Sequence, residues 1–189
     1  VRYRPVLLGA LLKVHGNPGP AGIAPKRAWT YRHAEWLGHS HGTPLQMPLK
    51  HPFNPLPLLR LALECSDDGC INRFTAQALL RHVWEGGGDA LDAERLAALR
   101  QTLNAQLRSD AEAADRAKQL LRINTDKAVS AGIFGVPTLE VESRQFFGVD
   151  SLPMLRDYLN GGDWFEGDRW VESASVHSGL SKGSAQDRG

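Results

Sequence analysis

The chain contains little cysteine and no long apolar run. Its 189 residues include two cysteines, Cys65 and Cys70, which are too few for a disulfide framework. This scarcity is typical of a reducing compartment and predicts a cytoplasmic protein. Apolar runs such as residues 6–12 fall far short of the roughly 20 residues that a membrane helix needs. We therefore expect no membrane partner.

The chain also lacks an excess of one charge. Its 22 Lys and Arg residues nearly balance 21 Asp and Glu residues, which leaves a formal net charge of +1. Because such a chain has no summed positive field, we expect no nucleic-acid partner. A hydrophobic content of 42% in this length predicts one domain, or one domain that carries an insertion.

The periodicity of apolar residues predicts strands at both ends of a helical block. Residues 1–12 predict a strand that is followed by a turn-rich loop at 15–22. Two short strands and a helix over 152–160 follow the block. Helices are predicted over 26–41, 58–64, 71–82, from an Asp92 cap, and from a Ser109 and Glu112 capping box to Gly132.

Several ordered segments carry a family resemblance. In the second half these are residues 131–138 (AGIFGVPT), 146–150 (FFGVD) and 152–155 (LPML), and in the first half 4–10 (RPVLLGA), 16–17 (GN), 25–27 (PKR) and 53–54 (FN). Together they resemble 2-hydroxychromene-2-carboxylate isomerases, which are glutathione-dependent relatives of kappa-class glutathione transferases in the DsbA group. The resemblance extends over roughly residues 1–160.

The resemblance implies an α/β thioredoxin-like fold of the DsbA and kappa-class glutathione transferase type, with an all-helical insertion. Residues 1–25 and 110–160 would form the thioredoxin-like part, and residues 26–109 the insertion. We expect residues 161–189, rich in Ser, Gly and charge towards the end, to form a largely disordered tail.

The resemblance also implies a glutathione site. Val136, before a cis Pro137, would offer its backbone to the cysteinyl unit in the manner of an added strand. Asp150 would meet the γ-glutamyl amino group, and the helix that follows would favour the carboxylate of that unit. Asn17 and Lys26 match positions near the glutathione backbone and its glycine carboxylate. Taken alone, Asp150 is equally typical of a helix cap, Asn17 of a loop and Lys26 of a surface.

One departure from the family concerns the catalytic position. The family places its catalytic serine after the first strand, and in this sequence that position lies before residue 1. Ser40, Ser66 and Ser109 do not match it, because they lie in the helical insertion or its loops. The resemblance therefore predicts an N-terminally incomplete fold without a catalytic residue, inactive in this form.

The implied function is a glutathione-dependent isomerisation of aromatic degradation intermediates, with glutathione as cofactor and a small aromatic substrate. Two alternatives stay open: a DsbA-family thiol oxidoreductase or glutathione transferase, and a non-catalytic glutathione-binding or interaction module. Kappa-class relatives suggest a homodimer.

Other reactive residues favour structural interpretations. Four residues separate Cys65 and Cys70, unlike a redox Cys-x-x-Cys motif, so both are expected to be free thiols. His39 and His41 are typical of a solvated helix end, because no second ligand pair lies nearby. Trp29, Trp36 and Trp84 are expected to pack against the helical block rather than to line a substrate pocket.

Overall fold

A computed structural model describes residues 1–43 and 45–176, and these residues form eight α-helices and one two-stranded sheet. The chain divides into two compact units, Val1–Val136 and Pro137–Gly189. The elements are α1 (Leu8–Val14), α2 (Ala24–Ser40), α3 (Leu56–Glu64), α4 (Arg73–Trp84), α5 (Ala93–Thr102), α6 (Ala113–Ser130), β1 (Thr138–Val141), β2 (Arg144–Phe147), α7 (Leu152–Leu159) and α8 (Arg169–Glu172).

Helix α3 lies at the centre of the first unit. Its Leu61 packs with Val83 of α4 and Leu99 of α5, and its Leu63 packs with Leu121 of α6. All five side chains are buried. Fully burying an aliphatic side chain of this size contributes about 1.5–3 kcal/mol, so α3 connects two apolar clusters that hold the helices together.

Side-chain caps fix where α4 and α5 begin. The backbone amide of Thr75 donates to Asn72 Oδ1 at 2.9 Å, and the amide of Arg95 donates to Asp92 Oδ1 at 2.9 Å. Each bond satisfies one amide that the first helical turn leaves without a partner. The predicted Asp92 cap is confirmed, and the predicted helices over 26–41, 58–64 and 71–82 correspond to α2, α3 and α4.

The strand predicted over residues 1–12 is wrong for most of its length. Tyr3 forms a single antiparallel bridge with Ile71, whose amide donates to Tyr3 O at 2.8 Å. The chain then turns into α1, because its LGALLKV sequence is rich in Leu, Ala and Lys, which favour helix. Leu11 of α1 is fully buried, and α1 contacts α6.

The beginning of α6 also differs from the prediction. The helix begins at Ala113 after Glu112, without a side-chain cap, so the predicted Ser109 capping box is wrong. The Asp110 carboxylate instead accepts two hydrogen bonds from the Arg116 guanidinium, both at 2.8 Å. This bidentate pair holds residues before α6 against its first turn.

Buried Asn124 of α6 ties three parts of the first unit together. Its Nδ2 donates to Pro5 O at 3.1 Å and to Gly69 O at 2.8 Å. The two carbonyls belong to the N-terminal extended segment and to the turn before α4. Because a buried carbonyl without a donor is costly, this one amide fixes both segments against α6.

Helix α2 contrasts with the others because none of its 17 residues is buried. It is attached on one side, where the Tyr31 hydroxyl donates to His51 O at 3.0 Å and lies 2.9 Å from His51 Nδ1. The His51 ring also contacts Trp84 of α4, and burial lowers the pKa of His51. Trp29 and Trp36 remain 65% and 60% exposed.

In the second unit, the two predicted short strands, β1 and β2, pair as an antiparallel hairpin. Leu139 pairs with Phe146 and Val141 with Arg144. The two turn residues, Glu142 and Ser143, both have positive φ values, 48° and 69°. This left-handed conformation at both positions is that of the turn whose twist matches a two-residue hairpin.

Aromatic side chains form the core of the second unit. Phe146 of β2, Leu155 of α7 and Phe165 are buried together. The Trp170 ring of α8 lies 5.6 Å from that of Phe146, and the Arg144 guanidinium lies over the Trp170 ring at the same distance. These contacts are hydrophobic and cation–π.

Part of the predicted tail is packed in this core. Because Phe165 is only 5% exposed, the stretch from Asp163 to Glu172 is folded, whereas the sequence predicts a largely disordered tail. The disorder predicted for residues 177–189 lies outside the described residues. The boundary between the compact units, at 136–137, does not coincide with the predicted boundaries of a helical insertion, which stay a prediction.

Candidate functional site

Pro137, Gly148 and Asp150 form one corner of the second unit. The Gly148 amide donates to Pro137 O at 2.9 Å, which closes the open end of the hairpin. Gly148 has a φ of +84°, and a Cβ added there would collide with Asp150 Oδ1. Only glycine suits both conditions. The corner therefore places an exposed Asp150 carboxylate directly over the turn.

Asp150 is not the cap of α7. Ser151 occupies the cap position without a side-chain bond to the helix, and its hydroxyl donates instead to Gly148 O at 2.8 Å. The alternative interpretation of Asp150 as a simple helix cap is therefore wrong. The first turn of α7 has no side-chain cap, but its Leu152 amide donates to Val149 O and Pro153 has no amide hydrogen. What this end of the helix offers a carboxylate is mainly the positive end of the helix dipole.

The expected cis bond before Pro137 is wrong. The cis bond found in the described part of the chain joins His51 and Pro52, so Val136 and Pro137 are joined in trans. An X–Pro bond favours trans by about 0.5–1 kcal/mol unless its surroundings impose cis, and Pro137 is exposed. Val136 is 42% exposed. Its backbone forms no hydrogen bond within the described residues, so it presents a free backbone edge.

Asn17 begins an ordered loop after α1. Its side-chain Oδ1 accepts from the Gly19 backbone amide at 2.8 Å, and the Asn17 backbone amide donates to Leu12 O at 2.9 Å. The side-chain oxygen is therefore occupied by a local turn. Nearby, His15 Nε2 lies 3.3 Å from Ile133 O, which places this loop beside the segment that leads to Val136. Sequence reasoning missed His15, because a lone loop histidine carries no pattern.

Lys26 lies in the first turn of α2 and is exposed. Among residues 1–43 and 45–176, no carboxylate lies within ion-pair distance of its ammonium group. A short 3₁₀ turn over Pro20–Gly22 connects it to the Asn17 loop. Lys26 is thus a cation available to an anionic ligand.

The five predicted residues fall into two groups. Asn17, Lys26 and Val136 belong to the first unit, and Pro137 and Asp150 to the second. The chemistry of the set is one carboxylate, one cation and one free backbone edge. The Asp150 carboxylate of the second unit suits an ammonium group, whereas Lys26 and Val136 of the first unit suit a carboxylate and an extended peptide.

The cysteines are free thiols, as predicted. Cys65 is buried, and this burial is the largest cause that raises the pKa of its thiol. The neighbouring Glu64 carboxylate also raises it. Cys70 accepts a long contact from Arg4 Nη2 at 3.8 Å. Ser66 lies between them, and its hydroxyl donates to Cys70 O at 2.8 Å. A raised thiol pKa opposes the thiolate that redox chemistry needs.

Among the remaining candidate residues, the two histidines and Trp84 lie as predicted, whereas Trp29 and Trp36 do not. His39 and His41 are exposed at the end of α2, and the described residues contain no group of three or more side chains suited to a metal ion. Trp84 packs against the core between α3 and α4. The predicted packing of Trp29 and Trp36 is wrong, because α2 directs both rings away from its attached side.

Within residues 1–43 and 45–176, no helix combines the length and the apolar character that crossing a membrane requires.

Comparisons with known proteins bear on the fold. No curated protein matches the chain significantly. A solved structure of selenomethionine 2-hydroxychromene-2-carboxylate isomerase is similar, with a TM-score of 0.65 and 20% identity over 88% of this chain and 83% of that chain. At this identity the similarity shows the fold alone, and it confirms the predicted thioredoxin-like α/β class. The model of the DSBA-like thioredoxin domain matches residues 1–160. The chain therefore belongs to the DsbA-like thioredoxin domain family.

Proposed function

We propose that this chain is a glutathione-binding isomerase domain, with substrates of the 2-hydroxychromene-2-carboxylate type. The observation that carries the proposal is the corner at Gly148, where the exposed Asp150 carboxylate lies two residues before α7, a helix without a side-chain cap. The Asp150 carboxylate matches the ammonium group of an α-amino acid head group, and the positive end of the α7 dipole favours the carboxylate of that head group.

Each predicted residue has a distinct binding task in this proposal. The Asp150 carboxylate accepts from the γ-glutamyl ammonium, and the positive end of the α7 dipole favours the carboxylate of the same unit. The Val136 backbone pairs with the cysteinyl unit, as in strand addition. Lys26 attracts the glycine carboxylate, and the Asn17 side-chain amide donates to the peptide backbone. Pro137 keeps the end of β1 extended beside Val136.

Glutathione would supply a thiol nucleophile, which lets an isomerase add to a conjugated substrate and leave again. The residues of this chain are assigned to binding and orientation, and none of them is assigned to the chemical step. The similar fold of the 2-hydroxychromene-2-carboxylate isomerase supports the reaction class. The raised pKa of Cys65 gives no support to the thiol oxidoreductase alternative.

The first test measures glutathione binding by isothermal titration to the full chain. Asp150→Asn removes the negative charge without changing the size of the side chain, and we expect about ten-fold weaker binding, as for the loss of one charge-assisted hydrogen bond. Glu140→Gln is the matched control, because Glu140 is exposed on β1 in the same unit. Equal binding by both variants and the wild type would contradict the site.

A modified ligand makes the assignment sharper. Glutaryl-cysteinyl-glycine lacks only the α-amino group of the γ-glutamyl unit and keeps its carboxylate. The wild type should bind this ligand more weakly than glutathione, whereas Asp150→Asn should discriminate less between the two. An unchanged preference in Asp150→Asn would separate Asp150 from the amino group and overturn its role.

The second test concerns turnover of 2-hydroxychromene-2-carboxylate, followed by absorbance with and without glutathione. Isomerisation that needs glutathione without consuming it supports the isomerase, and net consumption would assign a transferase. Binding without turnover agrees with the expected lack of a catalytic residue and leaves this chain with the glutathione-binding role alone.

A further inference from the structure

A cavity of about 450 Å³ lies between α4 and α5. This volume is within the range of small-molecule sites in proteins, about 300–1,000 Å³. None of the residues assigned to glutathione lines it. The cavity therefore shares no residue with the proposed glutathione site.

One wall of the cavity is apolar. Phe74 and Ala78 of α4 line it together with Leu99 of α5. Phe74 and Ala78 are four residues apart and so share a face of α4. The Phe74 ring is 51% exposed, although large aromatic side chains usually gain from burial. A flat apolar ligand could cover this ring.

The polar groups of the cavity favour an anion. Arg81, His82 and Arg95 line it, and no Asp or Glu does. The Arg95 guanidinium is held in place by neutral acceptors, with Nη2 donating to His82 O at 2.6 Å and Nη1 to Asp89 O at 2.7 Å. It therefore contributes a fixed positive charge to this side of the cavity.

Arg81 is the cation best placed to bind a ligand directly. It lies one turn after Ala78 on the same face of α4, and its Nε is 3.6 Å from Glu85 Oε1. Both side chains of this pair are exposed, and exposed pairs of this kind are weak. A ligand carboxylate with two oxygens would compete well for the planar guanidinium.

We propose that the cavity between α4 and α5 binds a small aromatic carboxylate. The ring lies against Phe74, Ala78 and Leu99, and the carboxylate accepts hydrogen bonds from Arg81 in the positive field of Arg95. A small molecule suits the cavity better than a partner helix, because its lining is confined to two short helices, over residues 74–82 and 95–102.

The test uses naphthalene-2-carboxylate and its neutral analogue naphthalene-2-methanol, titrated separately into the full chain by calorimetry. The wild type should bind the carboxylate about ten-fold more tightly than the alcohol. Arg81→Gln should remove this preference, and Phe74→Ala should weaken both ligands. Arg73→Gln is the matched control, because Arg73 is an exposed arginine of α4 outside the cavity.

A blocking variant separates cavity binding from general surface adsorption. Ala98→Trp places a large ring on the α5 wall at an exposed position, so the fold should be retained, which far-UV circular dichroism checks. Loss of carboxylate binding in Ala98→Trp supports the proposal. Equal affinity for both ligands, or binding that survives Ala98→Trp, overturns it. Binding of a Glu-rich helical peptide without binding of the naphthoate also overturns it and assigns the groove to a protein partner.

Discussion

Helices α2 and α6 have nearly the same length, 17 and 18 residues, yet their contributions to the first unit differ. Six residues of α6 are buried, whereas α2 has none. Small and aliphatic residues recur along one face of α6, so that face packs against α3. In α2 the large residues are Trp, Tyr, Arg and His, distributed around the helix. An apolar stripe is thus what buries a helix in this chain, whereas α2 is held by contacts such as that of Tyr31 with His51.

Hydrogen exchange gives the largest expected contrast between the two helices. Backbone amides of α6 around Leu121 and Thr125 open only with the whole unit, whereas amides of α2 around Thr30 and Ala34 open locally. We expect exchange in α6 to be slower by at least about a thousand-fold. Mass spectrometry of deuterated peptides measures this difference, and similar protection in both helices would show that α2 is covered in solution.

A pair of truncations tests the same contrast energetically. Leu121 of α6 is 5% exposed, so Leu121→Ala should lower the free energy of unfolding by about 2–5 kcal/mol. Trp29→Ala in α2 should change it by no more than about 0.5 kcal/mol, because the ring is mostly exposed. Urea denaturation of both variants measures the difference. A comparable loss in Trp29→Ala would contradict the exposed position of this ring.

Truncating a polar residue should also lower the free energy of unfolding more in α6 than in α2. Asn124→Ala leaves Pro5 O and Gly69 O without their donor, which should cost about 1–3 kcal/mol in unfolding free energy. The control is Thr30→Ala, whose hydroxyl donates only to Lys26 O within α2. We expect little change there, because Ala favours the helix. Equal losses in the two variants would mean that Asn124 does not join the segments.

The smallest expected effect concerns an ion pair of α6. The Arg116 hydrogen bond lowers the pKa of Asp110. A carboxyl whose pKa is lower in the folded state stabilises the protein above its unfolded pKa, about 3.9, and this contribution disappears as pH falls through the folded value. Arg116→Gln should therefore lower the urea midpoint at pH 7 and have less effect near pH 2. Arg122→Gln, which loses an exposed pair with Asp126 at 3.7 Å, is the control and should show little pH dependence.

The sequence predicts helices well where an apolar stripe and a capping residue coincide. Asp92 before α5 is an example. Residues 8–14 were misassigned because a short apolar run has no period that separates helix from strand. These residues form a helix that buries Leu11, and the burial of Leu11 depends on α6, which lies more than 100 residues later in the sequence. The Ser109 capping box is wrong because α6 begins only at Ala113, and the residue after Ser109, Asp110, pairs with Arg116.

The residues of the candidate site were predicted from the family resemblance, because no local sequence pattern marks them as ligand-binding. Asp150 carries no local signal that separates a ligand acceptor from a helix cap, and only the hydroxyl bond of Ser151 resolves this. The role of Gly148 beneath Asp150 could not be foreseen either, because it depends on φ and on a side-chain position. The isomer of the Val136–Pro137 bond is likewise a property of surroundings that a single sequence does not encode locally.

The two-residue turn at Glu142 and Ser143 sets the pairing register of β1 and β2 in the second unit. Side chains alternate faces along β2, so Phe146 points into the core while its neighbour Phe147 is 43% exposed. Inserting one residue into the turn would shift the pairing register by one and exchange these two rings between the faces. The length of a turn that buries nothing thus specifies which phenylalanine forms the core.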